Sequence, residues 1–275
     1  MRLEKLMGTP LGAKRVRYSE DDVILYALAV GAGAEDLDLI YEGCLRTLPA
    51  FATTLGLWAP DALSALGVFT PDAALHGAQE LEVREPLPTS GNFEMLGKVA
   101  GVWDKGRSAV VDVEVECPFF RAVYSIFLPG RGGWGGERGQ GAPVAESNNV
   151  GAPTWSTRFA TSPQQAALYR LTGDRHLIHI DPDAARRAGL PGVILHGLCT
   201  LGIAAREVAA AVNATPTALR YLRARFAAPL RPGEELDLSG SPAPGGGVDF
   251  RGTRGATGVL SAAHARFDPP LSMES

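Results

Sequence analysis

A glycine- and proline-rich stretch, Pro129 to Pro153 (PGRGGWGGERGQGAPVAESNNVGAP), constrains this chain more than any other feature, because it has no apolar periodicity from which to build a core. It divides 275 residues into two portions of about domain size. A tandem duplication would be divided at the same place, and a faint repeat supports one. Ser19-Glu-Asp-Asp-Val-Ile-Leu-Tyr26-Ala-Leu28 matches Ser162-Pro-Gln-Gln-Ala-Ala-Leu-Tyr169-Arg-Leu171, and Pro86-Leu87 matches Pro229-Leu230. Both matches hold at one offset, since 169 − 26 and 229 − 86 each give 143.

The two portions carry the same order of elements. In the second, Ser162 is placed to cap a helix with Pro163 at its first position and Gln165 closing a capping box. Asp181-Pro182-Asp183 opens a short helix that Gly189 can end. From Gly197 the chain reads LCTLGIAAREVAAAVN, apolar on nearly every face except at Arg206 and Glu207, which predicts a buried helix. Strand runs follow over Ala218–Ala228, Glu235–Ser239, Val248–Gly252 and Val259–Phe267. The first half has strand runs at Gln79–Arg84, Phe93–Trp103, Ser108–Cys117 and Phe120–Leu128, the middle pair joined at Asp104-Lys105-Gly106 as a hairpin. Each half therefore reads as a short helical lead, a buried helix and an antiparallel meander. A sheet curling around one apolar helix buries both, giving an α+β layout.

Composition removes several classes of function. A net charge of −4 gives no electrostatic reason to expect nucleic acid or an anionic membrane as partner. No apolar run approaches the roughly 18 residues that span a bilayer, and the N-terminus lacks a signal-peptide pattern. The C-terminal Ser-Met-Glu-Ser is neither a peroxisomal nor a retention address. Cys44, Cys117 and Cys199 are widely separated and odd in number, which argues against a disulfide framework or a Cys-ligated zinc. The expectation is a soluble protein of a reducing compartment, read as cytoplasmic.

Chemistry concentrates in one segment. Of five histidines, His176, His179 and His196 fall within 21 residues, with Asp174 and Asp181 among them. Gly173 can end the preceding helix, so Asp174 to His179 occupy a connection, where functional groups are commonly displayed. An acid and an imidazole five residues apart can converge on one water as general base and general acid. Taken singly, Asp174 reads equally well as a turn residue and His179 as a satisfied core histidine. Leu195-His196-Gly197 at the start of the buried helix shifts that balance, because unpaired amides there can hold a developing oxyanion. Tight packing of the helix start against a strand is the competing reason for Gly197. His176, His179 and Asp174 or His196 also offer metal-ligand atoms, but the spacing matches no compact zinc signature. The Gly130-to-Gly136 run resembles a phosphate loop only in its glycine count, and Arg220 to Arg225 alternate as a solvated strand face.

Tyr169-Arg-Leu-Thr-Gly-Asp174-Arg-His176-Leu-Ile-His179-Ile-Asp-Pro182, followed by Ile194-Leu-His196-Gly197-Leu-Cys199, closely resembles the hydratase 2 branch of the MaoC-like hydratases, the (R)-specific 2-enoyl-CoA hydratases. Tyr26 to Gly31, Leu75-His76-Gly77, Asp104-Lys105-Gly106, the Gly-Gly-Trp-Gly-Gly run and Arg225 to Gly233 extend the resemblance over most of the chain. It implies a double hot-dog: two curled antiparallel sheets, each wrapped around a buried helix. The expected division is a non-catalytic half over 1–128 that makes room for the acyl tail, a linker over 129–155, and a catalytic half over 156–275. It further implies that Asp174 and His179 activate a water for trans-2-enoyl-CoA and that the Gly197 amide polarises the thioester carbonyl. His76, Gly77, Lys105 and Phe226 would line the acyl-CoA site. No cofactor and no metal are implied, and a homodimer is. The motif's usual Asn-Pro is His176-Leu177 here, so His176 either reshapes substrate choice, joins the acid–base work or marks reduced activity. The alternatives are a dehydratase of acyl-carrier-protein thioesters and a non-catalytic acyl-thioester-binding module.

Overall fold

The computed structural model describes residues 2–69, 74–139 and 152–268. Ten strands form one antiparallel sheet: β1 (Pro10–Tyr18), β2 (Leu75–Val83), β3 (Gly91–Asp104), β4 (Ser108–Glu116), β5 (Phe120–Pro129), β6 (Trp155–Ala160), β7 (Leu219–Phe226), β8 (Glu235–Pro242), β9 (Val248–Arg254) and β10 (Thr257–Phe267). Their order across the sheet is β1-β3-β4-β5-β2-β7-β10-β9-β8-β6. Each half contributes five strands. The two sheets expected from the sequence are fused edge to edge through β2 and β7, which satisfies two strand edges that would otherwise stand open.

The join carries the repeat. Glu80 of β2 lies opposite Arg223 of β7, and 223 − 80 is again 143, so repeat-equivalent residues face each other where a two-fold axis would pass. Tyr26 and Tyr169, the repeat-equivalent tyrosines, pack with ring centroids 6.1 Å apart. They come from α1 (Glu20–Ala29) and α5 (Gln165–Tyr169), and Gln165 Nε2 donates to the Ala29 carbonyl at 2.6 Å to lock the pair. Ser162 does not cap α5 directly. Its backbone N–H donates to Gln165 Oε1 at 3.1 Å, half of a capping box, and the helix begins two residues later than the motif suggests.

The predicted helix at Gly197 is α7 (Gly197–Ala211), with ten of its residues buried under the C-terminal strands. Its counterpart in the first half is broken into α3 (Ala52–Leu55) and α4 (Trp58–Ala65). Four-residue α2 (Leu37–Ile40) precedes them, and α6 (Pro182–Arg187) starts where expected, Asp181 accepting from the Asp183 N–H at 2.8 Å. Two strands escape a pattern search, β1 and β6, the outermost of the sheet. An edge strand lacks a fully buried face, and β1 (PLGAKRVRY) is mostly exposed and basic, as edges that resist pairing commonly are.

The expected linker is partly structured. Residues 140–151 lie outside the described residues, and Trp155 already belongs to β6. The glycine run before them folds back on the β3–β4 hairpin. Gly133 and Gly135 donate their amides to the Asp104 carboxylate at 2.9 and 2.8 Å, and Gly106 adds a third at 2.8 Å. These amides, led by Gly133, hold the Asp104 carboxyl down to about 2. The glycine-rich loop thus binds an anion as such loops can, but the anion is the protein's own side chain. Gly132 has no room for a side chain: a Cβ there would stand 2.2 Å from the Ser108 carbonyl oxygen.

Candidate active site

Tyr169 ends α5, a 3-10 turn follows over Arg170–Thr172, and Gly173 reverses the chain at φ 143°, a conformation costly for any side chain. Asp174 then opens the connection and accepts the His176 backbone N–H on Oδ1 at 3.1 Å, which fixes the carboxylate against its own loop. A second 3-10 turn, Leu177–His179, turns the His179 ring inward, where it is only 7% exposed. Its Nδ1 sits 2.9 Å from the Ile194 carbonyl, so Nδ1 carries the proton and Nε2 keeps its lone pair. Burial, the largest influence, pulls the His179 pKa below its ordinary value, leaving a neutral imidazole at neutral pH.

His196, fully buried, completes the group. Its ring stacks on that of His179 with centroids 3.7 Å apart and planes 26° apart, and its Nε2 donates to the Asp174 carbonyl at 3.2 Å. Burial first and His179 second drive its pKa far down, because two stacked, enclosed imidazoles cannot both carry charge. One ligand-capable atom from each of Asp174, His179 and His196 falls within 4.8 Å of the others. A metal fits this group poorly: in-plane lone pairs on nearly parallel rings run alongside one another instead of meeting at one ion. The arrangement suits a shared water better, because polar atoms of Asp174 and His179 no more than 4.8 Å apart are within reach of one bridging water.

His196 is the N-cap of α7, and the first helical hydrogen bond runs from the Thr200 N–H to the His196 carbonyl at 3.0 Å. The amides of Gly197, Leu198 and Cys199 therefore precede the ladder and present the positive end of the helix. Packing also demands glycine here. A Cβ on Gly197 would meet the Phe226 ring of β7 at 3.1 Å, so the packing explanation and an oxyanion role hold together.

Phe226 leads into a cavity of about 730 Å³ at the seam of the two halves. All four residues expected around the acyl-CoA site, His76, Gly77, Lys105 and Phe226, line it, with Trp103 and Arg225 also in its wall. The His76 ring lies edge-on to Phe226, centroids 4.9 Å apart, and burial lowers its pKa to about 4. Two interruptions in strand register border the cavity, between His76 and Ala78 on β2 and between Ser261 and His264 on β10, where Ala262 sits at φ 48°. Bulges of this kind bend strands and open sheets locally. Lys105, on the hairpin tip, donates its ammonium to the Arg138 carbonyl.

His176 stands apart from the buried group. It is exposed, its ring centroid 6.1 Å from that of His179, and it borders a separate cavity. His196 reads in the sequence only as a cluster member and a possible ligand, although it stacks on His179 and bonds the Asp174 carbonyl. Asp61 of α4 carried no signal at all. Its carboxyl is pushed up by desolvation and then by the Asp174 charge, which places the two acids in electrostatic reach across the halves.

Comparison with known proteins identifies the family. A model described as a MaoC like domain matches residues 147–249, and one described as the MFE-2 hydratase 2 N-terminal domain matches residues 16–119. The chain is 34% identical over 254 residues to the enoyl-CoA hydratase ChsH3 of Mycobacterium tuberculosis, covering 86% of this chain and 88% of that protein. It is 36% identical over 255 residues to a probable enoyl-CoA hydratase 2 of Dictyostelium discoideum, covering 86% and 85%. A MaoC-like dehydratase from Phytophthora capsici superposes with a TM-score of 0.86 at 24% identity, over 98% of this chain and 100% of that one. With the duplicated five-strand sheets and the helix-start corner in place, the chain belongs to the MaoC-like family, in its hydratase 2 branch with the double hot-dog fold.

Proposed function

We propose that the protein hydrates trans-2-enoyl-CoA to (3R)-3-hydroxyacyl-CoA, or runs the reverse dehydration, as a carbon–oxygen lyase. One observation carries this reading: an acid and a neutral imidazole share a corner with an open helix N-terminus, beside a cavity sized for a thioester. A water held between Asp174 and His179 Nε2 adds its oxygen to C3, and the pair passes one of its protons to C2. Charge that develops on the thioester oxygen meets the Gly197 N–H. Losing one such donor typically costs about 3 kcal/mol in the barrier, so the helix start matters as much as the side chains. His76, Gly77 and Phe226 enclose the thioester end, and Lys105 stands where the carrier's phosphates leave the cavity. No metal and no cofactor enter the reaction.

The same reading assigns the Asp–His pair to the half over 156–275 and leaves the half over 1–128 to shape the acyl site. The homodimer and the cytoplasm are part of the proposal. Cys44, Cys117 and Cys199 are free thiols, in keeping with a reducing compartment, and no helix among the described residues is long and apolar enough to cross a membrane.

The test is loss of enoyl-thioester absorbance with purified protein, on CoA and on acyl-carrier-protein thioesters in parallel, with the product's configuration determined. Asp174→Asn and His179→Ala are each expected to lower kcat by about 10³-fold while leaving the circular dichroism unchanged. Thioester binding without hydration by the unaltered protein would reduce it to a binding module. Faster turnover on the carrier-protein thioester would move the assignment to that carrier.

A further inference from the structure

Several polar side chains in the wall of the seam cavity are already engaged. Asp112 accepts from Trp103 Nε1 and Ser125 Oγ, Glu80 pairs with Arg121, and Lys105 holds the Arg138 carbonyl. Two atoms at the inner end of the wall differ. Gln79 Oε1 and His76 Nε2 are buried and, among the described residues, have no hydrogen-bond partner. The Gln79 Nε2 donates to the Glu80 carbonyl at 2.8 Å, which fixes the oxygen as the end of the amide left over. A buried acceptor without a donor costs free energy, so this pair reads as a place kept for a ligand's N–H or O–H. Arg223, whose Nε is also unpaired, stands opposite Glu80 and so on the other face of the strand pair from Gln79.

Both atoms belong to the side of the sheet that carries the reaction centre. Gln79 shares the buried alternation of β2 with Leu81 and Val83 and is 2% exposed. The His76 ring lies 5.8 Å from that of Tyr124, a core residue, and 4.9 Å from Phe226, against which Gly197 packs. The Asp174 charge and the Gln79 side chain both act on that ring. With the thioester carbonyl at Gly197, the carrier leaves past His76 and Phe226 toward Lys105. The first polar group beyond sulfur on its pantetheine arm is an amide, a short ethylene link away, and that amide brings one N–H. Resting on the proposed function for this orientation, we infer that Gln79 Oε1, with His76 beside it, accepts the N–H nearest the sulfur and is a specificity-determining contact for pantetheine thioesters. CoA and acyl carrier protein share this arm, so the contact does not select between them.

Butyryl-pantetheine and its analogue with an ester oxygen in place of that nitrogen differ only in the donor. Both are saturated, so calorimetric binding tests the contact without turnover. The unaltered protein should bind the amide at least about tenfold more tightly, because the ester loses the N–H and sets an oxygen against Gln79 Oε1. Gln79→Leu should cut the preference to about threefold or less while leaving the ester's affinity unchanged, which also shows that the site is still folded. Equal affinities in the unaltered protein, or no measurable binding of either compound, overturn the inference, and that comparison needs no variant. So does a Gln79→Leu protein that binds the ester as before and keeps the full preference. Hydration of enoyl-CoA without an amide preference sinks this inference alone, whereas the preference without any hydration leaves it standing and removes the proposed activity.

Discussion

At the scale of single residues, the backbone of the Asp174–His179 connection does much of the orienting that side chains are usually assigned. The Asp174 carboxylate is held by the His176 N–H, not by the His176 ring. Replacing that ring with the family's amide, His176→Asn, should therefore keep kcat on an unsubstituted enoyl-CoA within about tenfold. A much larger loss in steady-state assays would show that the imidazole itself takes part in the chemistry. The acid–imidazole pair was legible in the sequence because Asp174 and His179 sit five positions apart in one turn. The stacking of His196 on His179 was not, since it depends on how α7 is laid against the loop. Asp61 was invisible for the same reason: it is a helix residue 113 positions before Asp174 (174 − 61), and only packing brings them near.

Among elements, the glycine-rich run shows how composition can identify a segment and miss its task. Its glycines read correctly as a turned or flexible passage, yet the amides of Gly133 and Gly135 grip Asp104 and so fix the hairpin tip that carries Lys105. Asp104→Ala should loosen this tip, raising KM for acyl-CoA several-fold with little change in kcat. A fall in kcat with unchanged KM would refute the link between the glycine run and carrier binding. β4, with Val111, Val113 and Val115 fully buried, was read to within a residue, while β2 begins four residues before its predicted start and β8 ends three beyond its predicted end. The edge strands β1 and β6 were not read: β1 is mostly exposed, and β6, although its exposure alternates, is six residues long with none of them fully buried.

For the whole molecule, the seam at Glu80 and Arg223 makes one sheet out of two and creates the large cavity, with His76 from one half against Phe226 from the other. Enclosure at this seam sets a pH dependence. His76, His179 and His196 all titrate below 6.5 in the folded protein, chiefly through burial, His76 at about 4. Above pH 6.5 these groups are neutral whether folded or not, and their full contribution to stability is present. Below it the unfolded chain takes up protons that the folded chain refuses. Unfolding free energy should therefore fall between about pH 6.5 and 4, by up to about 1.4 kcal/mol per pH unit for each imidazole. Urea unfolding at pH 7 and pH 5 measures it, and equal or greater stability at pH 5 would contradict the enclosure of these rings.

What the amino-acid order settled by itself was local or periodic: a repeat at one offset, strands with a buried side, a helix apolar all round, and an acid and imidazole brought close by a single turn. Such features need only neighbours along the chain, so the residues spell them out. Tertiary structure alone decided the fusion of the sheets, the stacked imidazoles and the cavity at the seam. The sheet fusion and the seam cavity arise where segments more than a hundred residues apart are pressed together, the stacked imidazoles where α7 is laid against the loop before it, and no short-range pattern encodes which surfaces will meet.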